Sequence, residues 1–479
     1  MSPTTRTRIE RDSLGERELP DDVYYGIQTA RAVENFPISG LKPFPALVMA
    51  TVQIKKAAAR TNSELGALDP KIGGAIEAAA DEVLSGELRD QFVVDPFQAG
   101  AGTSHNMNAN EVLSNRGAEL LGGKKGDYSL VHPNDHVNMG QSTNDVFPTA
   151  MRLAALELVG GLLKSLEALA ASFRNKAAEF DHIVKSGRTH LQDAVPVRLG
   201  QEFGAYSTAM SKNARRIAQA SDELRELGLG GTAAGTGLNA APGYRRRVVE
   251  ELGRLTGEPL RQTGDYFESM QSMSPFVSVS GAIRTLATDV IRIANDLRLL
   301  SSGPNTGLGE ITLPPVQPGS SIMPGKVNPV MAEMTNMVCF QVIGNDATIA
   351  ASAQAGQLEL NVMMPVIAFD LLMSLTVMKN ALDVLRERCV DGITANEGRS
   401  RWYVENSVSL VTALNSRIGY ARAAEIAKRA IARGKTIREV ITEENLLAPE
   451  EVSDVLDTYA MTEYQQEPGV GSGENSPAK

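Results

Sequence analysis

The chain has 479 residues, 42% hydrophobic and 22% charged, an ordinary soluble composition that leaves room for two to four domains. A formal net charge of -10 and a pI near 5.3 argue against nucleic acid as the main partner, because phosphate binding calls for clustered Lys and Arg in excess. Aromatics make up only 5%, with Trp402 the one tryptophan, while Ala, Leu, Met, Gly and Glu abound; that bias favours helices over a β sandwich.

From Met1 to about Asp95, short turns such as Tyr24-Tyr25-Gly26 and Phe36-Pro37-Ile38 alternate with helical pieces. The clearest helix is an alanine-rich stretch from about Pro45 to Leu65. No secretory apolar core follows Met1 and no uncharged apolar run approaches twenty residues, so the expected location is cytoplasmic. The run Gly100-Ala101-Gly102-Thr103-Ser104-His105-Asn106-Met107-Asn108 is polar, glycine-led and predicts a turn feeding a helix. A second polar run, His132-Pro133-Asn134-Asp135-His136-Val137-Asn138, continues into Gly140-Gln141-Ser142-Thr143-Asn144-Asp145. Its Ser, Thr, Asn and Asp suit a helix N-cap, and Pro148 suits the first turn of the helix that follows.

Beyond Pro148 the period lengthens. Leu156, Val159, Leu163, Leu166, Ala170 and Phe173 step by three and four and form an apolar stripe. Similar stripes predict helices over about Leu199 to Leu227, Phe276 to Leu300, Val330 to Ala353 and Val366 to Cys389. Rods of this length, about 40 Å each, cannot bury all their apolar surface in one small bundle, so association with other subunits is expected. Cys339 and Cys389 fall inside these helices, which favours buried free thiols over a disulfide. The expected organisation is a mixed, mostly helical N-terminal domain over 1–146, a long-helix bundle over 147–396 and a small helical C-terminal domain over 397–479. The last would end in a disordered Gly/Ser/Pro/Glu-rich tail from Gln465.

Three polar loops separate the rods. Ser186 to Pro196 contains Arg188, Thr189 and His190. Gly228 to Asn239 is glycine-rich, and although Gly235 to Ala240 fits G-x-G-x-x-A, it follows a helical pattern and not a strand, which disfavours dinucleotide binding. The third loop, Gly319-Ser320-Ser321-Ile322-Met323-Pro324-Gly325-Lys326-Val327-Asn328-Pro329, holds two glycines and two prolines that forbid helix. Either it is an ordinary connector, or its serines, lysine and asparagine bind an anion and activate a hydroxyl, since backbone N–H groups and Lys326 can stabilise an alkoxide.

Thr103, Ser104, Ser142, Thr143, Asn144, Thr189, His190, Ser320, Ser321, Lys326 and Asn328 are donors, almost all uncharged. A pocket lined this way fits a small carboxylate whose charge grows during reaction, as when a proton leaves the adjacent carbon and a second negative charge develops on the carboxylate oxygens. Metal ligands are scarce: there are five histidines, no H-E-x-x-H and no C-x-x-C. His132 and His136 have ligand spacing, but Pro133 and the Asn/Asp run favour a polar turn. A serine hydrolase would want a G-x-S-x-G elbow, which is absent.

The loop at Gly319 to Pro329 resembles the signature of the aspartase/fumarase superfamily. So do Gly102-Thr103-Ser104 with Asn106-Met107-Asn108, Gln141 to Asp145, Gly187 to Asp193 and Gly356-Gln357-Leu358-Glu359-Leu360-Asn361-Val362. Ser142-Thr143 and Gln357-Leu358 are similar to the ammonia-lyase branch, which interconverts L-aspartate with fumarate and ammonia. The fumarate hydratase branch is the alternative, and an inactive helical scaffold a remote one. The resemblance implies a mainly α subunit whose long helices share a central bundle in a homotetramer, with each site assembled from three subunits. It implies that Ser320 takes the β proton, that Thr103, Ser142, Thr143 and Ser321 hold the β-carboxylate, and that Thr189, Lys326 and Asn328 hold the α-carboxylate. Asn144 and His190 would face the amino group, with Glu333 orienting His190; Ser320, Lys326 and His190 form the implied catalytic set. His132, Asn134 and Asp135 match a secondary anion site of fumarases. No cofactor and no catalytic metal are implied, with divalent-cation activation left open. Asn305, where many relatives carry arginine, and Met364, where some carry glutamate, depart from the family pattern.

Overall fold

The computed structural model describes residues 6–463, and the tail expected from Gln465 lies outside them. The chain opens with an antiparallel hairpin that the sequence reading lacked, β1 (Thr7–Asp12) paired with β2 (Gly15–Pro20). Its strands are dense in Arg and Glu, which hides a strand pattern. Helices α1 (Ile27–Asn35), α2 (Pro45–Glu64), α3 (Pro70–Ser85) and α4 (Thr103–Leu120) follow. Pro45 and Pro70 each sit in the first turn of a helix, where the missing N–H has no intrahelical partner to lose, and Asp69 caps α3 by accepting from Lys71 N.

Helix α5 (Thr143–Glu179) is the first rod. It starts five residues before Pro148, which therefore lies inside the helix and not in its opening turn: the Ser142-Thr143-Asn144-Asp145 start signal won over the proline. The hairpin of β3 (Val184–Thr189) and β4 (Gln192–Arg198) leads to α6 (Leu199–Ser221). Then come β5 (Glu226–Leu227), α7 (Tyr244–Thr256), β6 (Arg261–Gln262), α8 (Tyr266–Gln271), α9 (Ser274–Leu300) and β7 (Ile311–Thr312). After the loop carrying Ser320 stand α10 (Val330–Ala353) and α11 (Met364–Arg388), then β8 (Thr394–Ala395) and α12 (Glu397–Asn406). Short helices α13 (Asn415–Ile418), α14 (Tyr420–Arg433), α15 (Ile437–Glu443) and α16 (Pro449–Val455) finish the described chain.

The protein is mainly α, and the five rods have 37, 23, 27, 24 and 25 residues. Their apolar stripes are buried: Leu156, Val159, Leu166, Ala170 and Phe173 of α5 and Ile283, Leu286, Val290, Ile293 and Leu297 of α9 are each at most 4% exposed, while Leu163 of α5 is half-buried. Helices α5 and α11 are long and apolar enough to cross a membrane by length and composition, but most of each apolar stretch is buried inside the protein. Cys339 and Cys389 are buried free thiols, and burial pushes both up to about 12.

Two compact units emerge. The first takes the chain up to Glu167 with Ser211–Ile291 and Met334–Asp383; the second takes Ala168–Met210, Arg292–Glu333 and the chain from Val384 onward. The first unit's core includes Val48, Val52, Ile76, Val83, Phe92, Val112, Leu113, Val131 and Val137. In the second unit Phe173, Phe180, Phe203 and Tyr206 pack edge-to-face, and Val404, Leu410, Ile426, Val440 and Ile441 form a separate C-terminal core.

Candidate active site

In the first unit, the turn before α4 is shaped by glycine. Gly102 has φ of +83°, and a Cβ there would come within 2.2 Å of the Phe147 ring, so no other residue fits. The turn leaves Thr103 exposed as the first residue of α4, its hydroxyl donating to Gly100 O at 3.3 Å.

One helical turn further, α4 is polar and buried. Asn106 and Asn110 both donate through Nδ2 to Asn138 Oδ1, at 3.2 and 3.3 Å. Asn106 Nδ2 also donates to Thr143 Oγ1 at 3.1 Å, so that oxygen is an acceptor toward the protein and its hydrogen is left to point outward. Ser142 is in the same state: its Oγ accepts from Asn144 N at 3.2 Å. Asn144 donates through Nδ2 to Ala233 O at 2.9 Å, which leaves its side-chain oxygen as the end open to a ligand donor. Thr103, Ser142, Thr143 and Asn144 thus share one unit, on the starts of two adjoining polar runs.

Asp145 holds this arrangement. Its Oδ1 accepts from Ser142 N, and its Oδ2 accepts from Gly230 N and Thr232 N, each at 2.9 Å. Burial pushes its carboxyl up to about 6, with the three N–H donors and the Lys55 charge opposing. The glycine-rich stretch after α6 therefore serves as a clamp on the start of α5, a function that composition alone did not convey.

His105 is fully buried behind the same turn. Thr51 gives its hydroxyl hydrogen to Leu47 O at 2.8 Å, so its contact of 3.0 Å with His105 Nε2 requires the imidazole to donate there. Nδ1 is then a lone pair, and it is buried with no partner among the described residues. Burial first, then the Lys55 charge, lowers His105 to about 4, and the ring is neutral.

His132 and His136 form a polar turn. His136 Nδ1 accepts from His132 N at 2.9 Å, and His132 Nδ1 accepts from Asn134 N and Asp135 N. His132 and Asn134 line a cavity of about 510 Å³ with Arg11, Arg31 and Tyr128. Asp135 is exposed beside it. Among the described residues no group of three or more His, Cys, Asp and Glu could hold a metal ion.

The second unit carries the rest. The stretch Ser186 to Pro196, a loop by composition, is a bulged antiparallel hairpin in which Thr189 pairs with Gln192. The two residues at its tip, His190 and Leu191, have φ of 56° and 58°. Asn-Gly is the usual tip for such a turn, and bulky residues held at positive φ store strain of order 1–3 kcal/mol each. Anchoring comes from a buried charge cluster: Arg188 donates to both oxygens of Glu310, at 3.1 and 3.0 Å, and Lys185 lies 3.2 Å from Glu310 and 2.8 Å from Glu202. Glu310 is wholly buried, and Tyr403 stacks against Arg188. Thr189 and His190 are exposed at the tip this cluster secures.

The loop 319–329 is closed at its neck, where Gly319 N donates to Lys326 O at 2.8 Å and Asn328 Nδ2 donates to Gly319 O at 2.6 Å. A Cβ at Gly319 would meet Lys326 O at 2.4 Å, so only glycine permits this closure. Ser320 Oγ accepts two backbone N–H groups, from Ile322 at 3.2 Å and Met323 at 2.9 Å. Two fixed donors aimed at one hydroxyl oxygen are what an alkoxide requires. Ser320, Lys326 and Val327 line one open cavity of about 560 Å³, and Ser321 is exposed next to it. Glu333 is half-buried in the first turn of α10, and among the described residues no hydrogen bond or ion pair joins it to His190. Of the two departures from pattern, Asn305 sits in an exposed turn and Met364 is buried at the start of α11.

Sequence reasoning missed Lys55, and it named Asn138 and Asp145 in polar runs without their part in holding the 138–145 turn from behind. Lys55 is wholly buried in α2 and donates to Asn138 Oδ1 at 2.9 Å and Gln141 Oε1 at 3.0 Å. The one available signal was a lysine falling in phase with the apolar positions of an alanine-rich helix.

Comparison with known proteins gives a family model described as lyase over residues 15–344 and one described as fumarase C C-terminus over residues 410–463. The aspartate ammonia-lyase of Bacillus subtilis (strain 168) is 50% identical over 467 residues, covering 98% of each chain. A class II fumarate hydratase of Halobacterium salinarum is 52% identical over 470 residues, covering 98% of this chain and 99% of its own. The crystal structure of a fumarate lyase:delta crystallin from Brucella melitensis bound to cobalt superposes with a TM-score of 0.93 at 51% identity, covering 96% and 100%.

Proposed function

Since this chain belongs to the lyase family with a fumarase-type C-terminus, we propose that it is an aspartate ammonia-lyase. It would interconvert L-aspartate with fumarate and ammonia by anti elimination. The observation that carries the reading is Ser320 Oγ, which sits at the focus of the Ile322 and Met323 N–H groups in a loop closed by Gly319, Lys326 and Asn328. Those donors, with the Lys326 charge, favour the alkoxide. The alkoxide oxygen takes a proton from the β carbon, and the electron pair left behind moves into the adjacent carboxylate, which becomes a dianion. Ser142 and Thr143, whose oxygens already accept from the protein, donate their hydrogens to that dianion, joined by Thr103 and Ser321. The pair then returns to form the double bond as the C–N bond breaks and ammonia leaves with its own pair; Ser320 gives its proton to solvent.

Thr189, Lys326 and Asn328 would take the α-carboxylate. Asn144 and His190 would face the amino group, for which the open side-chain oxygen of Asn144 is the right polarity. This chemistry needs no cofactor and no catalytic metal. An inactive scaffold would need the rods but not Ser320, Lys326 and Asn328 together.

A second reading, class II fumarate hydratase, is favoured by the 52% identity to the Halobacterium enzyme. Against it stand Ser142-Thr143 and Gln357-Leu358, and near-full-length identity of 50% to aspartate ammonia-lyases. Following fumarate absorbance from L-aspartate and from L-malate in parallel decides the matter: turnover of L-aspartate alone is expected, and turnover of L-malate alone would replace the proposal with the hydratase.

The active form proposed is a cytoplasmic homotetramer with three chains meeting at each site. Its support is that Thr103, Thr189, His190, Ser321 and Lys326 are all exposed in one chain, whereas a carboxylate pocket must exclude water. In addition α10 turns Met337 (63% exposed) and Phe340 (58%) outward, as a helix does when a second copy is to cover it.

A further inference from the structure

Lys55 is a buried cation with no direct ion pair among the described residues, and the Asp145 carboxylate acts on it only through space. Its side chain is fully buried, it donates to two neutral amide oxygens, and no carboxylate lies within ion-pair distance among the described residues. Its surroundings are rich in acceptors: Asn106 Oδ1, Asn110 Oδ1, Asn62 Oδ1 and His105 Nδ1 are buried with no donor. Isolating a charge in this way is costly unless something offsets it. The groups between Lys55 and the surface of the turn are Asn138 and Gln141. Asn138 is also the shared acceptor of Asn106 and Asn110, and Asn106 in turn holds Thr143.

We propose that Lys55 is a positioning residue for the lyase reaction: a buried ammonium that fixes the 138–145 turn through Asn138 and Gln141 and supplies the positive charge against which Ser142 and Thr143 bind a substrate carboxylate. The inference rests on the dicarboxylate-lyase reading above and adds what that reading lacked, a cation behind an otherwise uncharged set of donors. Asp145 supplies one negative charge toward Lys55, and the ligand carboxylate would supply a second. Because charge on the carboxylate doubles in the intermediate, the ammonium favours the intermediate over the substrate, so it acts on turnover as well as binding.

Protonation provides a readout. Burial lowers the Lys55 ammonium to about 7, with Asp145 opposing. The titratable groups acting on it are His105 from α4, held neutral down to about 4, and Asp145 from α5, at about 6; Asp145 in turn acts on Tyr244 from α7, which is raised well above its ordinary range. Between about pH 7 and 9 Lys55 is therefore the group that changes charge. A dianion prefers the protonated form, so affinity should be greatest near neutrality and fall as pH rises and the ammonium is lost.

The test is calorimetric titration of the full chain with succinate, a dicarboxylate that neither reading turns over, together with steady-state kinetics on L-aspartate and thermal melting. Lys55→Met should weaken succinate at least tenfold at pH 7, raise KM, lower kcat and lose the fall in affinity toward pH 9. Lys55→Arg, charged throughout, should recover most of the binding and show no such fall. Asn138→Asp covers the case in which Lys55→Met fails to fold: it keeps an acceptor for Asn106 and Asn110 while cancelling the charge, and should weaken succinate by a similar factor. A folded Lys55→Met or Asn138→Asp that binds succinate within twofold of wild type, with the wild-type pH dependence, overturns the proposal while leaving the lyase reading intact. Wild type that binds no succinate and turns over neither L-aspartate nor L-malate overturns both.

Discussion

The turn at 138–145 and the loop at 315–329 bear the same kinds of side chain but are held in different ways. The first is backed by buried side chains: Asp145 gathers three backbone N–H groups, and Lys55, Asn106 and Asn110 converge on Asn138. The second holds itself: among the described residues, the hydrogen bonds at the Gly319 neck and around Ser320 join residues of the loop itself, and residues 321–327 are exposed. A carboxylate-binding region gains from rigidity, since donors fixed in advance need no reorganisation when charge develops. A base-bearing loop must also admit substrate and release product, and a loop with a firm neck and a solvent-facing tip can do both.

The largest effect should come from removing the hydroxyl at the centre of that loop. Ser320→Ala should cut kcat by roughly 10²–10⁴-fold, the span of a general base, with melting temperature and assembly unchanged because the neck bonds do not involve the side chain. Retention of more than a few per cent of wild-type kcat would mean that another residue takes the proton. Lys326→Met comes next. Its backbone closes the neck but its ammonium is exposed, so the fold should persist while a dicarboxylate inhibitor weakens roughly tenfold to a hundredfold. Unchanged inhibitor binding would remove Lys326 from the α-carboxylate.

A smaller change is expected from the rigid side. Asn144→Ala removes one neutral acceptor and a bond to Ala233 O, and kcat/KM for L-aspartate should fall about tenfold. Binding of succinate, which has no amino group, should be nearly untouched. A loss of equal size for succinate would show that Asn144 shapes the pocket and does not face the amino group.

How far the sequence could be read follows the same division. Long apolar stripes announced all five rods, within a few residues apart from the start of α5 and the end of α6, which stops at Ser221 where the expected helix ran to Leu227, and the Ser320 loop was legible because its glycines, prolines and polar residues lie side by side. The supports of the 138–145 turn were not. Lys55 and Lys56 are neighbours in one helix, yet the first is buried against Asn138 while the second pairs with Asp81, and only the phase of Lys55 with the apolar positions of the helix distinguishes them. The hairpin of β3 and β4 escaped because its tip is His-Leu instead of Asn-Gly. Its stability resides in Glu310, more than a hundred residues away in the chain.

The proposed assembly yields a prediction of modest size and sharp meaning. Thr189 and Ser320 belong to the same unit, yet if three chains meet at each site they are contributed to one pocket by different copies. Thr189→Ala and Ser320→Ala should each be nearly inactive alone. When the two are mixed in equal amounts and subunits exchange, a pocket is intact if its Thr189 comes from a Ser320→Ala chain and its Ser320 from a Thr189→Ala chain. Random assortment places both intact copies together in roughly a quarter of pockets, so activity should climb from near zero to within about fourfold of wild type, in step with exchange followed by intact mass. If each chain built its own pocket, every pocket would carry one defect or the other. Activity would then stay at the parental level however complete the exchange.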